Sequence, residues 1–194
     1  MASPTDFPLP RDLPAPTDDG ACRHLLGTSM PSVALPATDG RSVDLGARTA
    51  LRTVLYCYPM TGVPGQPLPD GWDAIPGARG CTPQTCAFRD HYQELAALGT
   101  EVFGVSTQST EYQREMAERL HLPFPVLSDA TFALCEALDL PTFAVDGMRL
   151  MKRLTLIVVK GRIAKVFYPV FPPDRNAEDV LAWLRTNPDS VHGL

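Results

Sequence analysis

Gly80-Cys81-Thr82-Pro83-Gln84-Thr85-Cys86-Ala87-Phe88-Arg89-Asp90 is the stretch on which the reading of this chain turns. Upstream of it, Thr53-Val54-Leu55-Tyr56-Cys57-Tyr58 is a short continuous apolar run, the pattern of a central strand covered on both faces. Downstream, Phe88, Tyr92 and Leu95 recur at i, i+4 and i+7, which predicts a helix over 82–98 that Gly99 stops. Pro83 suits the first turn of that helix, where its missing N–H costs nothing. Cys81 therefore meets unsatisfied amides and the positive end of the helix dipole, surroundings that favour a thiolate. Arg79 stands beside it in sequence and adds to that field.

The second cysteine lies five residues on. In an intact helix residues i and i+5 are roughly 140° apart, with Cα atoms about 8–9 Å apart. A disulfide needs Cα atoms within about 7 Å. Cys81 and Cys86 can bond only if the first turn unwinds, which suggests a cycle between a folded and a locally melted helix end. A metal site is poorly served, because no His or further Cys follows at ligand spacing.

The other elements follow outward from this centre. Ser32–Leu35 and Arg41–Leu45 flank Asp39-Gly40 as an N-terminal β-hairpin. Val102–Ser106 reads as a strand and Tyr112, Met116 and Leu120 as the face of a helix. Pro125–Leu127 is a short strand, and Asp129 is expected to cap a helix running to Leu138. Leu154–Val159, Lys160-Gly161 and Arg162–Phe167 form a second hairpin, and Asn176 is expected to cap a final helix that turns Val180, Trp183 and Leu184 inward. Strands alternating with helices imply an α/β fold with a mixed central sheet flanked by helices.

The chain has 194 residues and 20 prolines, clustered twice: seven fall in residues 1–36 and six in 59–83. Residues 1–20 lack hydrophobic periodicity and read as a flexible or loosely docked arm before one domain over 21–194. The second cluster makes 60–80 a Pro/Gly-rich inserted loop, of a length more often functional than idle. Apolar residues are 44% and charged residues 20% of the chain, enough to bury a core and too much for general disorder. The net charge of −5 disfavours nucleic acid. No run of 18 apolar residues suggests a membrane span, and the first residues lack the pattern of a signal peptide, so the expected compartment is cytoplasmic. Five cysteines, an odd count, point away from a disulfide framework and toward metal or redox chemistry.

The Gly80–Asp90 segment resembles the peroxidatic segment of peroxiredoxins, in particular the bacterioferritin-comigratory or Q type. The likeness runs from about Gly27 to Leu184 and includes Tyr56-Cys57-Tyr58-Pro59, Gly104-Val105-Ser106-Thr107 and Phe124–Asp129. It implies a thioredoxin-like fold and reduction of hydrogen peroxide or organic hydroperoxides, with no cofactor. By the same resemblance Cys81 is the attacking thiolate, Cys86 the resolving thiol of an intramolecular disulfide, and a thioredoxin-like or low-molecular-weight thiol the reductant. Arg153, at the start of the later hairpin, takes the place of the family's active-site arginine. The family motif Pro-x-x-x-Thr-x-x-Cys is split here: Ala74 and Ala78 occupy the Pro and Thr positions, and Pro59 lies 22 positions before Cys81 rather than seven. Pro59 keeps its place at the strand end, Thr61 is the candidate to supply the hydroxyl, and Thr82 is a weaker substitute. Two other readings stay open: a redox-sensing or partner-binding module on the same fold, and a pathway enzyme that turns the thiol on a specialised substrate. A monomer or homodimer is expected.

Among the remaining residues, Cys57 and Cys135 lie in apolar stretches and read as buried structural thiols. Cys22, beside the arm, is expected to be exposed. His24, His91, His121 and His192 lack partners at telling spacing, and Arg89-Asp90 reads as a local ion pair. Trp72 must dock somewhere: a lid over Cys81, a plug on the core and an oligomer contact are the open placements.

Overall fold

The computed structural model describes residues 9–10, 12–48 and 52–188. His192 and the first eight residues of the arm lie outside them. A five-stranded sheet forms the centre, built from β3 (Arg52–Cys57), β4 (Thr100–Ser106), β5 (Val126–Ser128), β8 (Leu154–Val159) and β9 (Arg162–Phe167). Its order is β5-β4-β3-β8-β9. β3 pairs parallel with β4 and antiparallel with β8, so the sheet is mixed, as the order of elements predicts.

The apolar run of β3 alternates between two buried layers. Val54, Tyr56 and Tyr58 join one cluster, while Leu55 and Cys57 join the other. The first layer is closed by α1 (Cys81–Asp90), α2 (Tyr92–Ala97), α3 (Thr110–Arg119) and α5 (Asn176–Thr186), which contribute Phe88, Leu95, Met116 and Val180. Phe88 stacks on Tyr56 at a centroid distance of 4.4 Å, fixing α1 onto β3. The Tyr56 hydroxyl lies 2.6 Å from where a Cβ on Gly104 would stand, so the neighbouring strand must carry glycine there. The second layer is closed by α4 (Ala133–Ala137), the turn around Cys22 and Leu25, and the hairpin of β1 (Ala34–Pro36) and β2 (Ser42–Asp44). Among the described residues no helix is long and apolar enough to cross a membrane.

Several expectations need correction. The helix over 82–98 is two helices, because His91 leaves helical geometry with φ −94° and ψ 6°. Asn176 does not cap α5. A 3-10 turn at Pro173–Arg175 leads straight into that helix, and the Asn176 side chain turns inward to accept hydrogen bonds from Gln84 and Thr155. Asp129 serves α4 from four residues upstream, its carboxylate accepting from the Leu134 and Cys135 amides at 3.0 and 2.9 Å. A further hairpin, β6 (Thr142–Val145) and β7 (Met148–Met151), turns at Asp146-Gly147. Cys22 is buried rather than exposed, since the turn that carries it packs on the second layer. Trp72 docks on the β6–β7 hairpin, with its ring 6.2 Å from that of Phe143.

The described part of the arm lies against the domain. Asp19 accepts from Lys152 at 2.7 Å and from the Tyr168 hydroxyl at 2.9 Å. Together with the Ala21 amide these contacts, led by Lys152, hold the Asp19 carboxyl down at about 2.

Candidate active site

The antiparallel register of β3 and β8 sets Cys57 opposite Leu154. Arg153, one residue before β8, therefore arrives beside the C-terminal end of β3. The N-terminus of α1 points to the same edge, and the two meet. The Arg153 Nη2 group donates to the Cys81 Sγ at 3.1 Å. Both side chains are buried, each 4% exposed.

Arg153 also ties down the loop that delivers Cys81. Its Nε donates to the Gly77 carbonyl at 3.2 Å, and Nη2 to the carbonyls of Ala78 and Arg79 at 3.0 and 3.1 Å. Nη1 donates to the Gln84 side-chain carbonyl. Gln84 in turn donates to Asn176 at 2.9 Å, and Asn176 also accepts from Thr155 at 2.7 Å. Among the described residues no carboxylate pairs with Arg153. A buried cation held only by neutral dipoles is poorly compensated. Among the described residues its sulfur neighbour is Cys81, and a hydrogen bond to an ionised acceptor is stronger than one to a neutral acceptor.

Gly80 lets the chain enter the helix at this point. Its φ is +102°, in the left-handed region, and a Cβ there would stand 2.3 Å from Pro173 Cγ. No other residue fits both demands. Ala78, at the position of the family's threonine, is buried, and its carbonyl accepts from the Cys81 thiol at 3.5 Å.

Cys86 is fully buried in the first layer, further along the same helix. α1 is continuous across both cysteines, which are not joined in this structure. The folded helix thus keeps the pair apart, as its spacing requires. Thr61 and Thr82 line one cavity of about 460 Å³ together with Cys81. The Thr61 hydroxyl is engaged: it donates to the Gln108 side-chain carbonyl at 3.3 Å, while Gln108 donates back to the Thr61 carbonyl at 3.0 Å. Pro59 is buried at the strand end and is not among the residues that line this cavity. Thr155 and Gln108 are polar residues of the site without a pattern in the sequence, and Asn176 reads there only as a helix cap. Gln84, also part of the site, carries a local signal, an amide in the first turn of the helix three residues after the cysteine.

The other thiols lie elsewhere. Cys22, Cys57 and Cys135 share the opposite layer of the sheet. Burial pushes Cys22 and Cys135 up to about 12 and drives Cys57 well above its usual range. Arg89 and Asp90 form the expected pair at 2.8 Å, and His91 pairs with Glu94 at 2.7 Å. The His24 ring meets the Leu138 carbonyl at 2.9 Å.

The Redoxin family model matches this chain over residues 25–181, the span that carries the sheet, Cys81 and Arg153. The chain belongs to the redoxin family, in its peroxiredoxin Q/Bcp branch. Peroxiredoxin Bcp of Escherichia coli strain K12 is 31% identical to it over 168 residues, covering 82% of this chain and 94% of the relative. The solved structure of peroxidoxin BcpB from Mycobacterium tuberculosis matches with a TM-score of 0.66 at 26% identity, over 83% of this chain and 96% of that one. A cysteine mutant of Xylella fastidiosa PrxQ shares the fold, with a TM-score of 0.69 at 21% identity, over 84% and 97% of the two chains. This peroxiredoxin is a thiol peroxidase by family, carried on the thioredoxin-like fold.

Proposed function

We propose that Cys81 is the peroxide-reducing sulfur of this enzyme and Cys86 its resolving partner. The observation that carries the reading is the Arg153 Nη2 contact to the Cys81 Sγ at 3.1 Å. In the first step the Cys81 thiolate attacks one oxygen of the hydroperoxide. The O–O bond breaks, sulfur gains the hydroxyl as a sulfenic acid, and the departing alkoxide takes up a proton to leave as an alcohol, or as water from hydrogen peroxide. Sulfur is oxidised by two electrons and the peroxide reduced by two. Arg153 stabilises the thiolate before attack and the negative charge that moves onto oxygen during it. Thr61 and Thr82 line the approach as candidate hydroxyl contacts, and Pro59 shields the strand end.

In the second step the first turn of α1 unwinds, the Cys86 sulfur attacks the sulfenic sulfur, and water leaves as the disulfide forms. A dithiol reductant of thioredoxin-like or low-molecular-weight kind then takes over the disulfide and returns both thiols. The cycle suits a thiol-reducing compartment such as the cytoplasm, and the chemistry asks for neither metal nor organic cofactor.

One equivalent of peroxide is expected to yield a Cys81–Cys86 linkage in peptide mass spectra. Cys81→Ser is expected to lower peroxide-dependent oxidation of the reductant by about 10³-fold or more, as loss of a nucleophile does. A Cys81→Ser protein that keeps most of its turnover overturns the assignment.

A further inference from the structure

We infer that Tyr56 and Tyr58 are positioning residues for disulfide formation, their hydroxyls unpaired while α1 is folded and paired with the backbone of its first turn once that turn unwinds. The inference rests on the reading of Cys81 and Cys86 as the redox couple and adds what receives the melted segment.

Among the described residues, seven buried side-chain nitrogen or oxygen atoms lack a hydrogen-bond partner. Three of them, the hydroxyls of Tyr56, Tyr58 and Thr85, meet where β3 faces α1, in the layer that also holds Cys81 and Cys86. Both tyrosines are fully buried. The Tyr56 ring is clamped between neighbours: it stacks on Phe88 of α1 at 4.4 Å and on Tyr58 at 5.9 Å, and its hydroxyl lies against Gly104 of β4. Tyr58 directly follows, and Arg153 directly precedes, the Cys57–Leu154 pair of the sheet, so Tyr58 stands at the edge where Arg153 meets Cys81. The Tyr56 hydroxyl stands next to that of Thr85 and the Tyr58 hydroxyl next to that of Ser106, yet neither pair closes into a hydrogen bond. Burial pushes both phenols above their ordinary range, so each keeps its proton to donate.

A buried hydroxyl without a partner is a standing cost to the folded state. Two tyrosines that carry this cost where phenylalanine would fit are accounted for if another state of the protein gives them partners. Unwinding supplies such a state. In the folded helix the Gly80 carbonyl accepts from the Gln84 amide at 3.0 Å, and the carbonyls that follow accept from amides four positions on. Melting the first turn frees these carbonyls and amides. A hydroxyl, with one donor and two acceptor sites, pairs with either kind. The tyrosines thus offset part of the cost of melting and hold the open turn where Cys81 reaches Cys86.

The test is the equilibrium between dithiol and disulfide. The protein is incubated in mixtures of reduced and oxidised dithiothreitol, where two electrons and two protons pass from the Cys81–Cys86 dithiol to the cyclic disulfide of the reagent. The linked fraction is read by peptide mass spectrometry after acid quenching. Tyr56→Phe and Tyr58→Phe are each expected to lower the equilibrium constant for the linked form about ten-fold, a shift of about 30 mV toward a more oxidising couple. The same variants, fully reduced, are expected to melt at or above the wild-type temperature, because the group they remove is unpaired in the folded form. An equilibrium constant within two-fold of the wild type in the Tyr56→Phe/Tyr58→Phe double variant, or a lower Tm in the reduced single variants, overturns the inference while leaving the Cys81–Cys86 couple intact. A wild-type protein that never forms the Cys81–Cys86 linkage overturns the parent reading and this one with it.

Discussion

Two sets of buried cysteines lie on opposite faces of one sheet, and only one of them holds a sulfur that meets a guanidinium. Cys57, Cys135 and Cys22 sit in an apolar layer where Lys152 and Arg149 are too weakly placed to offset desolvation, so their thiols are held protonated. Cys81 is buried as deeply, yet a guanidinium donates to its sulfur at 3.1 Å. Burial alone makes a cysteine inert; burial beside an uncompensated cation makes it a candidate nucleophile. On the proposed function, the contrast accounts for five cysteines serving a single redox couple.

The strongest way to break the contrast is to remove the cation. Arg153→Met takes away a charge-assisted hydrogen bond worth about 1.5–3 kcal/mol. The rate constant for peroxide reduction is then expected to fall roughly ten- to hundredfold in stopped-flow measurements. A variant within two-fold of the wild type would make Arg153 a brace for the loop and nothing more.

A smaller effect is expected one residue further out. Gln84→Ala leaves Arg153 without its Nη1 acceptor and strips a donor from Asn176. Unpaired buried groups cost about 1–3 kcal/mol, and for a chain of this size each kcal/mol moves Tm by about 2–4 °C. Thermal unfolding should show a drop of several degrees, together with faster disulfide formation because a tether on the first turn of α1 is gone. An unchanged Tm would show that the Gln84 hydrogen bonds do not hold the first turn of α1 in place.

The smallest effect belongs to the opposite face and to pH. Cys22 and Cys135 rise to about 12 in the folded state from an ordinary 9.0, and Cys57 moves the same way. Above pH 9 the unfolded chain loses these protons while the folded chain keeps them. Their contribution to stability is therefore complete below pH 9 and is lost as pH rises toward 12, by at most about 1.4 kcal/mol per pH unit and group. Denaturation midpoints should fall over that window, and Cys135→Ala should flatten the slope. An equal slope in the variant would show that these thiols are not the cause.

What could be read in the sequence was what is local. The hairpin Leu154–Phe167 appears with the expected boundaries, because Lys160-Gly161 between two apolar runs defines it without reference to anything distant. The entry of Cys81 into a helix was equally legible from Gly80 and Pro83. Arg153 was placed by resemblance, and β8 delivers it to the sulfur. Long-range contacts were not legible. Asn176 has the composition of a cap, but Gln84, 92 residues earlier, draws its side chain inward. Thr61 lines the Cys81 cavity as a hydroxyl candidate, and its partner there, Gln108, lies 47 residues later and carries no local signal. Cys22 looked exposed because the arm before it is polar, while the turn that holds it packs on the sheet. Each miss is a tertiary partner overriding a local signal.

The most direct test of the contrast between the two faces asks which sulfur takes the oxygen. In a Cys86→Ser protein treated with one equivalent of hydroperoxide and a sulfenic-acid trap such as dimedone, the adduct should appear on Cys81 and on none of Cys22, Cys57 or Cys135. An adduct on Cys57 or Cys135 with Cys81 unmodified would contradict the account.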